Sequence, residues 1–158
     1  MNILFWIILI AIIVEFIIDT ILTILNIRSI STNPPNALED VYGFSEYKKS
    51  QEYTLTRSRF SLIVTTVQIL AMLIFWFSGG FNFVDQMIRL MEWSEIANGI
   101  LFIFILSGLS MVLNLPFDLY GTFVIEEKFG FNKTTISTYF TDTIKSLILS
   151  VVIGAPLI

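Results

Sequence analysis

Apolar positions along the chain gather into long runs separated by polar connections. The runs at residues 3–27, 60–78 and 96–115 are each close to the roughly 20 apolar residues that a membrane-spanning helix needs. A fourth apolar stretch begins near residue 143, and the sequence stops before that stretch reaches spanning length. We therefore predict an all-α, polytopic membrane assembly with three full transmembrane helices and a truncated fourth over residues 143–158, and we expect Ile158 to be a truncation point.

The first polar connection, residues 28–59, carries the signals of two amphipathic helices. Asn36 and Glu39 have the spacing of a capping box at the start of a helix. Gly43 can end that helix, and a second short helix is expected to begin near Ser45. Amphipathic helices in the connecting loops are therefore part of the predicted fold.

The connection at residues 81–95 has apolar side chains at helical spacing. Asp85 and Arg89 stand four residues apart, which is the spacing of an ion pair within one helix. This pattern predicts a short helix lying in the membrane interface, and a plain loop is the alternative.

Composition agrees with a membrane protein and excludes several classes of function. Of the 158 residues, 55% are hydrophobic and 14% are charged, with a mean hydropathy of +0.81, whereas soluble domains carry about 25% charged residues. The net charge of -4 gives no basic surface for nucleic acid, so we expect no nucleic-acid partner. The chain has no histidine and no cysteine, so it cannot by itself build a standard zinc hydrolase centre. Any catalysis must come from outside this chain or from carboxylates alone, and we name no catalytic or metal-binding residue within it.

The distribution of basic residues predicts an orientation in the membrane. Five lie between the first and second spans, and three lie between the third span and the unbroken apolar stretch that begins at Ser146: Lys128, Lys133 and Lys145. Arg89 is alone between the second and third spans. The positive-inside rule then places connections 28–59 and 116–142 in the cytoplasm and the N-terminus on the opposite side. The expected membrane is a bacterial inner membrane or the endoplasmic reticulum.

Polar side chains in the first span form a stripe. Glu15, Asp19, Thr23 and Asn26 are spaced by three or four residues, so they share one face of the helix. Carboxylates at membrane depth usually mark a cavity, a partner or a proton path, and this stripe is therefore a candidate site. The alternative is that both acids form hydrogen bonds with neighbouring helices and hold the bundle together.

The polar run at residues 116–135 has more chemical detail than a simple link requires. Pro116 is expected to end the third span, and Asp118 then lies in the first turn of a new helix. Gly130 can stop that helix, and Asn132 can cap the next one, which continues into the fourth span. On these grounds alone, a well-capped helical hairpin with no further role is an equally good interpretation.

Two neighbouring glutamates in this run, Glu126 and Glu127, invite an acid/base interpretation. Adjacent residues on a helix point about 100° apart, so the two carboxylates do not form a catalytic dyad.

The same run carries a resemblance to a known family. Leucine-proline-phenylalanine at residues 115–117, then threonine-phenylalanine-valine-isoleucine-glutamate-glutamate and glycine-phenylalanine-asparagine ending at Asn132, resembles the third intracellular region of the type 1 CAAX prenyl protease family. Phe140, Asp142 and Lys145 extend the likeness into the next helix. Residues 47–53, together with Arg59-Phe60, resemble the family's first cytosolic loop.

The resemblance implies an integral-membrane zinc metalloprotease whose helices enclose a chamber and which trims prenylated CAAX proteins. The family's zinc ligands lie in a His-Glu-x-x-His helix and a later glutamate, beyond the position that corresponds to Ile158. Residues 1–158 are thus expected to be the N-terminal membrane domain, inactive alone and needing a C-terminal zinc peptidase half. The expected partners are membrane lipids and prenylated or other peptide substrates. The residues expected to line the chamber or its entrance are Tyr120, Glu126, Glu127, Phe131 and Asn132.

Other functions compete with this expectation. The chain can be a small membrane scaffold or an ion or proton transport subunit that uses Glu15 and Asp19. It can also be a noncatalytic relative of the family that binds lipidated proteins.

Overall fold

The computed structural model describes residues 3–31 and 43–154, which are helical with short connections and contain no strand. Helices α1 to α5 have the bounds Ile3–Ser29, Phe44–Phe77, Gly80–Arg89, Glu95–Tyr120 and Ile136–Gly154, and the π-helix Gly121–Glu126 joins α4 to α5.

Four helical segments are long and apolar enough to cross a membrane. They are α1, α2, α4 together with the π-helix, and α5. The predicted polytopic helical membrane architecture is confirmed. α5 begins at Ile136 and runs on through the fourth apolar stretch, which agrees with the prediction that the helix after Asn132 continues into the fourth span. The whole helix has 19 residues.

Helix α2 is longer than predicted. A separate short helix was expected from Ser45 and a span from residue 60, but one helix of 34 residues covers both. No glycine or proline interrupts the sequence of α2, so nothing ends the helix where its surroundings change from polar to apolar. The proposed capping box of Asn36 and Glu39 lies outside the described residues.

Helix α3 confirms the predicted short amphipathic helix. Its apolar residues Val84 and Ile88 are buried, with 6% and 2% of their surface exposed. On the polar side, Arg89 Nε donates a hydrogen bond to Asp85 Oδ2 at 2.8 Å. The helix starts after Gly79, whose φ of 80° suits glycine because the residue has no Cβ.

Helix α4 runs through the residue that was expected to end it. Ser94 caps its N-terminus by accepting a hydrogen bond from the Ala97 N–H at 3.3 Å. Pro116 lies inside the helix, and the prediction of a stop there is wrong. The proline ring has a helix-compatible φ and costs the helix one hydrogen bond, a loss that transmembrane helices tolerate.

The chain divides into two compact units, Met1–Leu70 and Ala71–Ile158. The buried apolar side chains of the described residues all lie in the second unit: Val84, Ile88, Ile125 and Phe129. The other large apolar side chains of the described residues are exposed or half-buried, as expected of helices whose outer faces meet lipid or further helices.

Candidate functional site

The connection from α4 to α5 begins with a change in the helical hydrogen-bond pattern. Over Gly121–Glu126 the backbone is a π-helix, in which hydrogen bonds reach across five residues rather than four. At the junction, the N–H of Gly121 reaches the carbonyl oxygens of Phe117 and Asp118. The wider turn rotates the side chains that follow, relative to their positions in a continuous α-helix. Such turns occur frequently at functional sites.

The helix then stops at a glycine. Gly130 has a φ of 71°, in the left-handed region that glycine adopts without strain. Its N–H donates to the carbonyl oxygen of Glu127 at 2.9 Å, and the Phe131 N–H donates to that of Glu126 at 2.9 Å. These two bonds form a Schellman motif. The predicted role of Gly130 as the helix stop is confirmed.

Side-chain hydrogen bonds hold the turn that follows. Asn132 Nδ2 donates to Glu127 Oε2 at 3.1 Å, and Asn132 Oδ1 accepts from the Thr134 N–H at 2.7 Å. The cap of α5 is Thr135, whose hydroxyl accepts from the Thr138 N–H at 3.1 Å. The prediction that Asn132 caps this helix is therefore wrong, because its carboxamide is used within the turn.

Apolar side chains of the connection are buried and stabilise it. Ile125 and Phe129 are buried, with 3% and 5% of their surface exposed. The ring of Phe123 meets that of Tyr139 in α5 edge to face, with 5.9 Å between centroids. These contacts join the π-helix to the first turns of α5, so the connection is packed as well as hydrogen-bonded.

The residues predicted to line a chamber are exposed or half-buried in this connection. Tyr120 and Phe131 have 49% and 51% of their surface exposed. Glu127 is exposed, and Glu126 and Asn132 are half-buried. Among these five residues, Asn132 donates a hydrogen bond to the Glu127 carboxylate, so this carboxylate helps to hold the turn.

A cavity of about 490 Å³ lies between the end of α4 and α5. It brings together two carboxylates that are far apart in sequence, Asp118 and Asp142. Asp142 also has Lys145 Nζ at 3.5 Å. Leucine and methionine side chains also line the cavity, together with four residues of α5 that carry hydroxyl groups: Tyr139, Thr143, Ser146 and Ser150.

This cavity was missed from the sequence, although a signal was present. Tyr139, Thr143, Ser146 and Ser150 recur at intervals of three or four, which puts them on one face of α5. An apolar stretch with such a polar face is typical of a helix that borders a cavity or another helix.

The polar stripe of the first span lies on α1. Glu15, Asp19 and Asn26 are exposed, and Thr23 is half-buried. Within residues 3–31 and 43–154, neither carboxylate has a hydrogen bond or an ion pair. The neighbouring-helix partners required by the structural interpretation of this stripe are thus not found in that part of the chain.

Comparison with known proteins identifies the family. The family model described as "CAAX prenyl protease N-terminal, five membrane helices" matches residues 23–158. The chain belongs to this family. Its five membrane helices compare with four candidate spans among the described residues.

Curated CAAX prenyl proteases and a solved structure agree with this assignment. CAAX prenyl protease 1 of Saccharomyces cerevisiae is 32% identical, with 92% of this chain and 35% of the yeast protein covered. The Arabidopsis thaliana homologue is 34% identical, with 92% and 36% covered. The crystal structure of S. mikatae Ste24p superposes with a TM-score of 0.80 at 32% identity, covering 92% of this chain and 35% of that one.

The chain therefore spans about a third of the length of these CAAX prenyl proteases. The zinc implied by the resemblance does not fit the residues present. The sequence has no histidine and no cysteine, and the described residues contain no cluster of three acidic side chains able to hold a metal ion. We assign no catalytic step to this chain.

Proposed function

We propose that this chain is the N-terminal membrane portion of a zinc metalloendopeptidase of the CAAX prenyl protease type. It forms part of the wall of the intramembrane substrate chamber, lacks the zinc site and is inactive alone. The observation that carries the proposal is the alignment with CAAX prenyl proteases over 92% of this chain but 35% of the yeast relative, in a sequence without histidine.

The connection between α4 and α5 supports an architectural role beside an active site. Its backbone is fixed by the Schellman turn, and its carboxamide and hydroxyl groups are used to cap and brace it. Groups held this way are poorly suited to exchange protons with a substrate. Tyr120 and Phe131 are instead exposed and lie beside the braced turn, so they can contact an apolar substrate segment.

The full protein would supply the missing chemistry. A C-terminal zinc peptidase half would carry the His-Glu-x-x-His helix, and the substrates would be prenylated CAAX peptides or other peptides. In the membrane, the N-terminus would be non-cytoplasmic and the α4–α5 connection cytoplasmic, because five basic residues lie within residues 28–59 and three lie within residues 116–145, whereas Arg89 is the only one within residues 79–95.

The coding sequence past Ile158 gives the first test. We expect it to encode His-Glu-x-x-His, and the product of that longer reading frame should purify with one zinc ion per molecule. A reading frame without this motif, or a product that binds no zinc, contradicts the proposal. The same result would leave a noncatalytic relative that binds lipidated proteins as the better interpretation.

A second candidate function rests on α1. Glu15 and Asp19 are exposed at membrane depth and have no partner among the described residues, as a transport subunit would require. Proton or cation flux into liposomes containing the chain decides between the two. Flux that is abolished by Glu15→Gln and Asp19→Asn would favour transport, whereas the protease proposal predicts no flux above that of empty liposomes.

A further inference from the structure

The connection at the other end of α4 contains a second cavity. Its volume is about 650 Å³, within the range of small-molecule sites. It lies between α3 and the first turns of α4, so it depends on neither the α4–α5 connection nor the zinc chemistry. Charged, amide and aromatic side chains meet there: Phe81, Asp85, Arg89, Glu95, Asn98 and Phe102.

Several polar groups that line this cavity have unused hydrogen-bonding capacity. Arg89 is paired with Asp85 at 2.8 Å and still has the remaining guanidinium N–H groups to donate. Glu95 has no hydrogen bond or ion pair among the described residues. The carboxamide oxygen of Asn98 is shielded from solvent and accepts no hydrogen bond, while its Nδ2 donates to the Trp93 carbonyl oxygen at 3.3 Å.

The position of the cavity fixes its depth in the membrane. α2 ends at Phe77 and α4 begins at Glu95, and both helices are candidate spans, so the cavity lies at one membrane boundary. Trp76 and Trp93 flank the same connection, and tryptophan is enriched at the level of lipid headgroups. The molecules most concentrated at this depth are phospholipids.

We propose that this cavity binds the zwitterionic headgroup of phosphatidylethanolamine. Arg89 donates hydrogen bonds to the phosphate, which is also the chemistry that a planar guanidinium prefers. The primary ammonium group donates to the Glu95 carboxylate and, after a rotation of the side chain, to Asn98 Oδ1. The rings of Phe81 and Phe102 offer aromatic faces to the same cation.

The acceptors distinguish this headgroup from its commonest relatives. A choline headgroup has no N–H to donate to Glu95 or Asn98, and a glycerol headgroup has no cation. Two acids and one base line the cavity, so an anionic lipid would place its unbalanced phosphate charge near an excess of carboxylate.

Native mass spectrometry of the full chain, purified and delipidated in detergent, tests the proposal. With equal amounts of phosphatidylethanolamine, phosphatidylcholine and phosphatidylglycerol, we expect bound phosphatidylethanolamine to exceed each of the others about fivefold. Arg89→Gln should weaken all phospholipid binding, whereas Glu95→Gln should remove the preference for the ethanolamine headgroup. Equal binding of the three lipids by the unmodified chain overturns the proposal.

Matched variants separate the site from general effects of charge. Lys145→Gln removes another exposed base from a pair within one helix, and Glu46→Gln removes another first-turn glutamate. Both should keep the lipid preference. Arg89→Lys and Glu95→Asp retain the charges and should keep most of it, which also guards against a neutral variant that fails to fold. If Glu95→Gln elutes like the unmodified chain and keeps the full preference, the proposal is wrong.

Competition with soluble O-phosphoethanolamine shows whether the site binds the whole lipid or only its headgroup. Because it lacks the acyl chains, we expect it to displace the lipid only at concentrations at least a hundredfold above that of the lipid. Displacement at equal concentration would show a site for the free compound and would overturn the assignment to a membrane lipid.

Discussion

The two segments that flank α4 both bury apolar side chains but use their polar side chains differently. They are the α3–α4 connection, taken here as residues 80–98, and the α4–α5 connection, residues 121–135. Each buries two apolar residues four apart, Val84 and Ile88 on one side and Ile125 and Phe129 on the other. The α4–α5 connection then uses its polar side chains to brace its own turn. The α3–α4 connection leaves an amide oxygen without a donor. A connection whose polar groups hydrogen-bond to one another has a structural role, whereas a connection with a polar group that lacks a hydrogen-bond partner is suited to bind a ligand.

The largest effect is expected from the buried ring of the braced connection. Phe129→Ala should lower the free energy of unfolding by about 3–5 kcal/mol, because it removes a ring of which only 5% is exposed. Phe131→Ala is the matched control, since that ring is 51% exposed, and it should cost far less. Denaturant titration of the chain in detergent measures both. Equal losses would show that the connection is not packed as described.

The glycine turn should give the next largest effect. Gly130→Ala places a Cβ on a residue with a φ of 71° and should cost about 1–2 kcal/mol. Gly108→Ala makes the same chemical change inside α4, where a Cβ meets nothing within 4 Å, and should be neutral or stabilising. If Gly130→Ala and Gly108→Ala unfold at the same denaturant midpoint, the left-handed conformation of Gly130 does not contribute to stability as described.

The cap of α5 should give a smaller loss. Thr135→Ala removes the hydroxyl that accepts from the Thr138 N–H and should cost about 1 kcal/mol. Thr134→Ala keeps the backbone N–H that binds Asn132, and it should leave stability nearly unchanged. The same unfolding titration checks the pair, and a greater loss at Thr134 would return the capping role to Asn132.

The smallest effect on stability is expected in the α3–α4 connection. Arg89→Gln breaks an exposed pair with Asp85, and such pairs contribute little. The hydrogen bond that Arg89 donates to Asp85, together with the negative charge of that carboxylate, raises the pKa of Arg89 above an ordinary value already far above neutrality. Arg89 therefore keeps its charge at neutral and mildly alkaline pH, and the contribution that depends on this charge is lost only in strong alkali. Unfolding midpoints of this variant and the unmodified chain should differ by the same small amount from pH 6 to pH 9.

The sequence predicted the presence of the helices more accurately than the residues at which they begin and end. Long apolar runs identified α1 and α4, and the helical spacing of apolar side chains within residues 81–95 identified α3. The stop expected at Pro116 was wrong because proline breaks helices less strictly in a membrane. The separate short helix expected from Ser45 was wrong because a change in polarity does not interrupt a backbone without glycine or proline.

Within the candidate site, features that depend on one residue's own conformation were predicted from the sequence, whereas features that depend on contacts between residues were not. The left-handed turn at Gly130 follows from glycine chemistry and was predicted. The assignment of the cap to Asn132 failed because its side chain had a competing partner, Glu127, five residues earlier. The π-helix, and the cavity that Asp118 and Asp142 both line, depend on the arrangement of segments that are distant in sequence, which no short motif encodes.

The most direct test of the central claim is cleavage of a farnesylated CAAX peptide by reconstituted protein. The product of the longer reading frame should release the terminal residues, lose this activity with a zinc chelator and regain it with added zinc. The 158-residue chain, assayed in parallel, should be inactive in every condition. Chelator-sensitive cleavage by the 158-residue chain alone, or an inert longer product, would contradict the account.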